Sequence, residues 1–442
     1  MEKRTFFLVL SVFILLLTPF TGKIGAPPAA LRFIYLVGVV SVTWLYDKNW
    51  LPAVITTLYT ISKFGCSVAY MPTEIWYYIV LFAGFCFFTQ KKLIRIPKII
   101  YIYSVWVIIV DYLNSFAIYD NSLSLILIGL VISSCSLNSA QKNVEMFSIG
   151  FVVISLIISI EYIFASLNIF TGNIVSVYAD VSSAEDARVM WADPNYLGCV
   201  VSMGGLVAFS NLFKNDEPWF MYAISAIVIG LSFIMLLMNA SRGALSAFLV
   251  GFFVLFLTTK TKPIYKLLLF VIIGIFVVWL YDNAYFDLIE NRIANDSGGG
   301  SGRTNIWMNK WQAFESKSII EKIIGIGYFD GYRIAQATSI VDGKLSGGGF
   351  HNEFLAHFVD YGFIGFMILL SFFYYPIKLG GKLNSLVLSH LFLLVVACMT
   401  LEPFSLGMYI YYVFWFYILQ KSKELYEYGK NNKITTSKDS LV

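Results

Sequence analysis

Apolar runs of about 15–22 residues, the length of helix that crosses a hydrocarbon layer, recur along most of the chain. Short polar breaks separate them. The pattern predicts about fourteen spans, near 5–21, 30–46, 50–63, 74–90, 99–118, 122–137, 144–170, 194–213, 218–238, 243–259, 266–283, 360–377, 385–401 and 407–420. The third is short, and the fifth contains Asp111. The ten-residue alternation of a membrane β-barrel is missing, and no internal repeat is evident. The expected class is an all-α polytopic integral membrane protein. Residues 1–281 would form eleven helices with short loops. Residues 282–359 would form a large loop on the outer side, 360–420 three more helices, and 421–442 a cytoplasmic tail.

Composition agrees. Of 442 residues, 58% are hydrophobic and 17% aromatic, and the mean hydropathy is +0.74. A soluble domain cannot hide that much apolar surface. MEKR followed by the run 5–20 shows no convincing small-x-small cleavage site, so it reads as an uncleaved first helix. Cys66, Cys86, Cys135, Cys199 and Cys398 stand singly in or beside apolar runs, without a CxxC. They read as small core residues.

The net charge of +4 becomes informative only when divided by side. Lysines crowd the loops 90–98, 260–266 and 378–382 and the tail, which places those segments and both termini inside. The eight arginines sort the other way. Only Arg4 and Arg95 fall inside. Arg32, Arg188, Arg242, Arg292, Arg303 and Arg333 fall outside or at the outer face. A guanidinium suits bidentate binding of phosphate or carboxylate, so this asymmetry points to an outward-facing anion site. The plain alternative is that large translocated loops escape the charge rule and their arginines are merely solvated.

Several segments could carry that chemistry. In the loop 171–195, Asp193-Pro194-Asn195 is a helix-start signal. Glu185-Asp186 could hold a divalent metal or belong to a solvated loop, and the chain has no DxD. Arg242, between Ser241 and Gly243, joins two spans. It either faces a polar cavity and a ligand or snorkels to the headgroups. The polar passage from Tyr281 to Gly365 carries SGGGSGR at 297–303. Trp307, Trp311 and Phe314 follow at i, i+4 and i+7. That spacing predicts a short helix on the membrane surface, with its tryptophans at headgroup depth. Arg303 opens this helix, and a helix N-terminus beside a guanidinium suits a phosphate. Neither a P-loop nor a dinucleotide fingerprint is present. His351, after three glycines, is either a general base or a surface or capping residue. His390 reads as a packing residue. His351, Glu353 and His357 are poorly spaced for a metal. Asp111 and Glu161 read as buried polar partners or as marks of a transport path, and Glu402 as a residue able to line the same cavity as Arg242.

His351-Asn352, nine residues, then Gly362-x-x-Gly365 resembles the signature of the O-antigen ligase and polymerase superfamily. Ser241-Arg242-Gly243-Ala244 is similar to that family's arginine motif, and Asp193-Pro194-Asn195 and Ser301-Gly302-Arg303 before Trp307 fit its pattern. The similarity covers about 186–365. It implies transfer of a glycan from undecaprenyl diphosphate to a sugar hydroxyl at the outer face of a bacterial inner membrane, with inversion and without metal or other cofactor. His351 would deprotonate or orient the acceptor hydroxyl, and Asn352 would orient the imidazole. Arg242 and Arg303 would bind the diphosphate, with Arg188 a third candidate; Arg333 and Glu402 are further substrate-binding candidates. Gly362 and Gly365 would allow close helix packing. The implied partners are lipid-linked donor and acceptor, the bilayer and a chain-length regulator protein, with no nucleic acid. Polymerase and ligase share this signature; the span count and the Ile/Phe/Tyr/Asn-rich composition favour polymerase. A lipid-linked oligosaccharide flippase is the competing class, but it would usually show related halves. A non-enzymatic assembly partner is the third reading.

Overall fold

The computed structural model describes residues 98–115, 140–166, 194–214, 218–239, 241–287, 290, 294, 303–328, 330–331, 340–341, 344–345, 350–380 and 385–401. Expected spans before 98 and after 401, and the one near 122–137, lie outside these residues. The described helices are α1 (Lys98–Ser115), α2 (Ala140–Ser166), α3 (Pro194–Asn211), α4 (Trp219–Met238), α5 (Arg242–Thr258) and α6 (Pro263–Asp282). They continue with α7 (Arg303–Glu315), α8 (Ile319–Ile324), α9 (Glu353–Gly380) and α10 (Ser385–Thr400). One antiparallel hairpin pairs Ile340 with Leu345 and Val341 with Lys344. Asp342-Gly343 lies between these strands, a dipeptide that tight hairpins favour. Among the described residues, Trp219–Met238, Pro263–Asp282 and Glu353–Ser371 are helices long and apolar enough to cross a membrane.

Contacts divide the chain into two compact units. The first comprises Met1–Ile79, Glu145–Glu290 and Leu388–Leu393; the second comprises Val80–Val144, Asn291–Val387 and Leu394–Val442.

In the first unit α3 packs against α4 and α5. Close approach depends on small residues: a Cβ on Gly198 would meet Ala244 Cβ at 2.6 Å. Two buried serines donate to backbone carbonyls of α3. Ser155 donates to Val201 O at 2.6 Å and Ser202 to Gly198 O at 2.7 Å. His390 is buried, with Nε2 donating to Met203 O at 3.1 Å, as expected of a packing histidine. Cys199 is buried in this unit, and Cys398 is buried in the other. α5 carries Arg242 at one end and leads at the other into Lys260 and Lys262, about 25 Å of helix away. α6 is apolar on all sides and buries only Leu280, so its remaining surface suits lipid.

The second unit is organised around a break in α9. Gly362 has φ 68° and ψ −172°, which opens the helix. The carbonyls just before it take donors from elsewhere. Ile326 N–H reaches Val359 O at 3.3 Å, Gly327 N–H reaches Asp360 O at 2.8 Å, and Trp106 Nε1 reaches Tyr361 O at 3.1 Å. Backbone freed inside an apolar helix must be paired again, and the Gly325-Ile326-Gly327 segment does this. A Cβ on Gly362 would collide with the Ile323 carbonyl and the Gly325 amide. Gly362 is therefore needed for its positive φ as well as for close packing. α1 supports the break from one stripe. His357 is hydrogen-bonded to the Tyr103 hydroxyl, and Asp111 accepts from Tyr328 N–H at 2.9 Å. Asp111 is therefore a buried backbone partner. α9 also begins earlier than the apolar run suggests, because Asn352 caps it. Asn352 Oδ1 accepts from Leu355 N–H at 3.1 Å.

α8 begins with a capping box. Ser318 N–H donates to Glu321 Oε2 at 2.8 Å, and Glu321 N–H donates to Ser318 Oγ at 3.3 Å. Hydrogen bonds from the Ser318 side chain and then its backbone hold the Glu321 carboxyl below the usual range.

Candidate functional site

In the second unit the site is assembled by α7 and the start of α9. Arg303, Trp307, Lys310 and Phe314 recur at i, i+4, i+7 and i+11, so they share one face of α7. That face turns inward. Phe314 and Ile306 are buried, and Lys310 is fully so. The expectation of two tryptophans at headgroup depth therefore does not describe Trp307. Its Nε1 donates to Phe350 O at 2.7 Å, because an indole N–H in apolar surroundings needs a carbonyl. Trp311 is the exposed one of the pair.

Phe350 is held from two directions. Trp307 takes its carbonyl, and Lys310 Nζ lies 4.3 Å from its ring centre, a cation–π contact. The ring is buried in a cluster with Phe314, Ile326, Ala356 and Val359. The next residue is His351, with φ 50° in the left-handed region. Non-glycine residues seldom adopt it, at a cost of about 1–3 kcal/mol. Asn352 then caps α9, and its own carbonyl accepts from Ala356 N–H at 2.9 Å. His351 is thus a strained, half-buried residue clamped between a buried aromatic anchor and a helix cap. The expectation that Asn352 orients the imidazole gives way, for its Oδ1, to this capping bond.

Arg303 stands four residues before Trp307, about 6 Å along α7. Its Nη1 donates to Thr400 O at 2.8 Å, a carbonyl at the C-terminal end of α10. A helix end attracts a cation there. Arg303 and His351 therefore belong to one unit, linked through the bond from Trp307 to Phe350. Beneath His351, Glu353 and His357 are buried and lie 2.6 Å apart (Oε1 to Nδ1); His357 Nε2 faces the Tyr103 hydroxyl.

Arg242 belongs to the first unit. It opens α5, and the residue before it is fixed. Ser241 Oγ donates to Asn195 Oδ1 at 2.7 Å and accepts from Ala244 N–H at 3.3 Å. The Asp193-Pro194-Asn195 and Ser241-Arg242 motifs thus meet in one buried bond. Pro194 is the first residue of α3. Asp193, Glu185, Asp186, Arg188, Arg333 and Glu402 lie outside the described residues, as does the side chain of Glu161.

Sequence reasoning singled out Asn195 and Trp307 for other roles and missed Lys310. The helical period read from the sequence ran through Trp307, Trp311 and Phe314, whereas the inward stripe runs through Arg303, Trp307, Lys310 and Phe314. Its polar members concealed that it is the buried face.

These features define an apolar helical protein whose polar groups gather at helix starts, with a histidine and arginines on helix-terminal segments. Residues 227–370 match the family model described as O-antigen ligase, and this supports membership of the O-antigen ligase and polymerase superfamily. The matched region contains Arg242, Arg303, His351, Asn352, Gly362 and Gly365. No curated protein matches the chain.

Proposed function

We propose that the protein is a membrane glycosyltransferase that joins undecaprenyl-diphosphate-linked repeat units into O-antigen polysaccharide at the periplasmic face of the inner membrane. The acceptor hydroxyl gives its proton to the His351 imidazole as its oxygen bonds to the donor's anomeric carbon. The bond from that carbon to the diphosphate oxygen breaks, and the diphosphate leaves with the electron pair. Attack opposite the leaving group inverts the centre. Arg303, and Arg242 of the other unit, are the candidates to meet the developing diphosphate charge; a fixed cationic donor of this kind is worth about 100–1,000-fold in rate. The chemistry needs no metal, because guanidinium groups supply the charge. The observation that carries this reading is the clamped, left-handed His351 on the same unit as Arg303.

The matching family covers polymerase and ligase alike, so ligation of finished polysaccharide to lipid A–core is the second reading. Reconstitution with lipid-linked repeat units, with and without lipid A–core, decides between them. Ladder growth from repeat units alone supports the polymerase. Product only when lipid A–core is added supports the ligase. Movement of the lipid-linked donor across the bilayer without a new glycosidic bond would make the protein a flippase.

A further inference from the structure

α8 has its apolar side turned outward. At 100° per residue, Ile319, Ile323, Ile320 and Ile324 occupy one arc of about 140°, and Glu321 and Lys322 lie on the other. A helix docked on a protein in water would turn the isoleucines inward. Here Ile319 is 75% exposed, Ile320 68% and Ile323 45%. The charged arc is engaged with its own chain: Lys322 Nζ donates to Glu315 O at 2.6 Å, and Glu321 closes the capping box. An outward apolar face on a short, well-capped helix calls for an apolar medium.

The neighbouring surface identifies that medium. α8 packs on α9 at the Gly362 break, where the Ile323 carbonyl sits against Gly362. Before the break α9 is embedded in protein, with Glu353, Ala356, His357, Val359, Asp360 and Tyr361 buried. After it, Phe363, Met367, Leu370 and Tyr374 are exposed at i, i+4, i+7 and i+11. That stripe belongs to a helix apolar enough to cross a membrane. Residues 363–380 rise about 27 Å, close to the roughly 30 Å of bilayer hydrocarbon. The Ile323 carbonyl beside Gly362 brings α8 to the start of this stripe.

We infer that α8 is an interfacial element whose Ile319, Ile320 and Ile323 insert into the lipid surface, so that α9 enters hydrocarbon near Gly362 and not at Glu353. The passage 282–359 is then not wholly free of the membrane. Glu353, where α9 begins, is then about 13 Å of helix from Gly362, and His351 lies two residues before it. The inference does not depend on the glycosyl-transfer reading.

The test uses the full-length protein in phosphatidylcholine–phosphatidylglycerol vesicles, with a genetically encoded, environment-sensitive fluorescent amino acid at position 320. Because Ile320 is exposed, a larger side chain there displaces no packed neighbour. Phospholipids brominated near the glycerol end of their acyl chains should quench the fluorophore about twofold or more, with aqueous iodide nearly inert. At position 322, on the opposite arc, iodide should quench and the brominated lipid should have little effect. Quenching at position 320 by iodide alone would overturn the inference, because the face would then meet water. Quenching by neither agent would also overturn it, because a second copy or another protein segment would then cover the face. Position 319 gives an independent reading should the first variant insert poorly.

Discussion

Trp307→Phe removes a single hydrogen-bond donor and keeps an aromatic ring in its place. The bond it deletes, Nε1 to Phe350 O at 2.7 Å, anchors the residue before His351. Leaving a largely buried carbonyl unpaired costs about 1–3 kcal/mol. The left-handed His351 backbone stores a similar amount and stays in place only while its neighbours hold it. If about 1.5–2 kcal/mol is lost from the productive turn, its population falls roughly 10–30-fold. The rate of chain extension should fall by that factor. The Phe350 ring remains anchored by its buried cluster and by Lys310, so the loss should stay below the roughly 100–10,000-fold of deleting a general base. The assay is turnover of reconstituted protein on lipid-linked repeat units, with donor concentration varied. The expected signature is a lower kcat with an unchanged donor KM, because the donor's diphosphate is assigned to the arginines. A thermal melt run in parallel separates site loosening from global unfolding. A kcat within about twofold of the parent, with His351→Ala still inactive, would refute the idea that this bond positions the histidine.

His351→Ala should abolish ladder formation while the protein still inserts and purifies normally; normal ladders would remove the general-base role. Arg242→Lys should lose about 100–1,000-fold in turnover, because a point charge does not reproduce a two-pronged guanidinium, and near-parental turnover would mean that Arg242 only snorkels. Gly362→Ala should fail structurally, since its Cβ meets the Ile323 carbonyl in a backbone region closed to alanine; an unchanged melting temperature would contradict the kink. Chelator should leave turnover unchanged, and inhibition reversed by Mg²⁺ would return attention to Glu185-Asp186.

Much of the fold was legible along the chain. Runs near 99–118, 194–213, 243–259 and 385–401 correspond to α1, α3, α5 and α10 within a few residues. Run length and apolar content are local properties, and in lipid a backbone of that kind has little choice but helix. The candidate histidine and arginines were also visible, as polar groups out of place beside apolar runs.

Local sequence sufficed, then, for the apolar helices among the described residues and for the residue types able to meet a diphosphate. Partners and facing came from the packing of distant segments. It paired Asp111 with the Tyr328 amide, 217 positions away, and Asn195 with Ser241, 46 positions away. It turned Trp307 inward and the isoleucines of α8 outward. Helices form from neighbours, but a buried polar group takes whatever donor or acceptor the packing brings within about 3 Å, and that donor can come from anywhere in the chain.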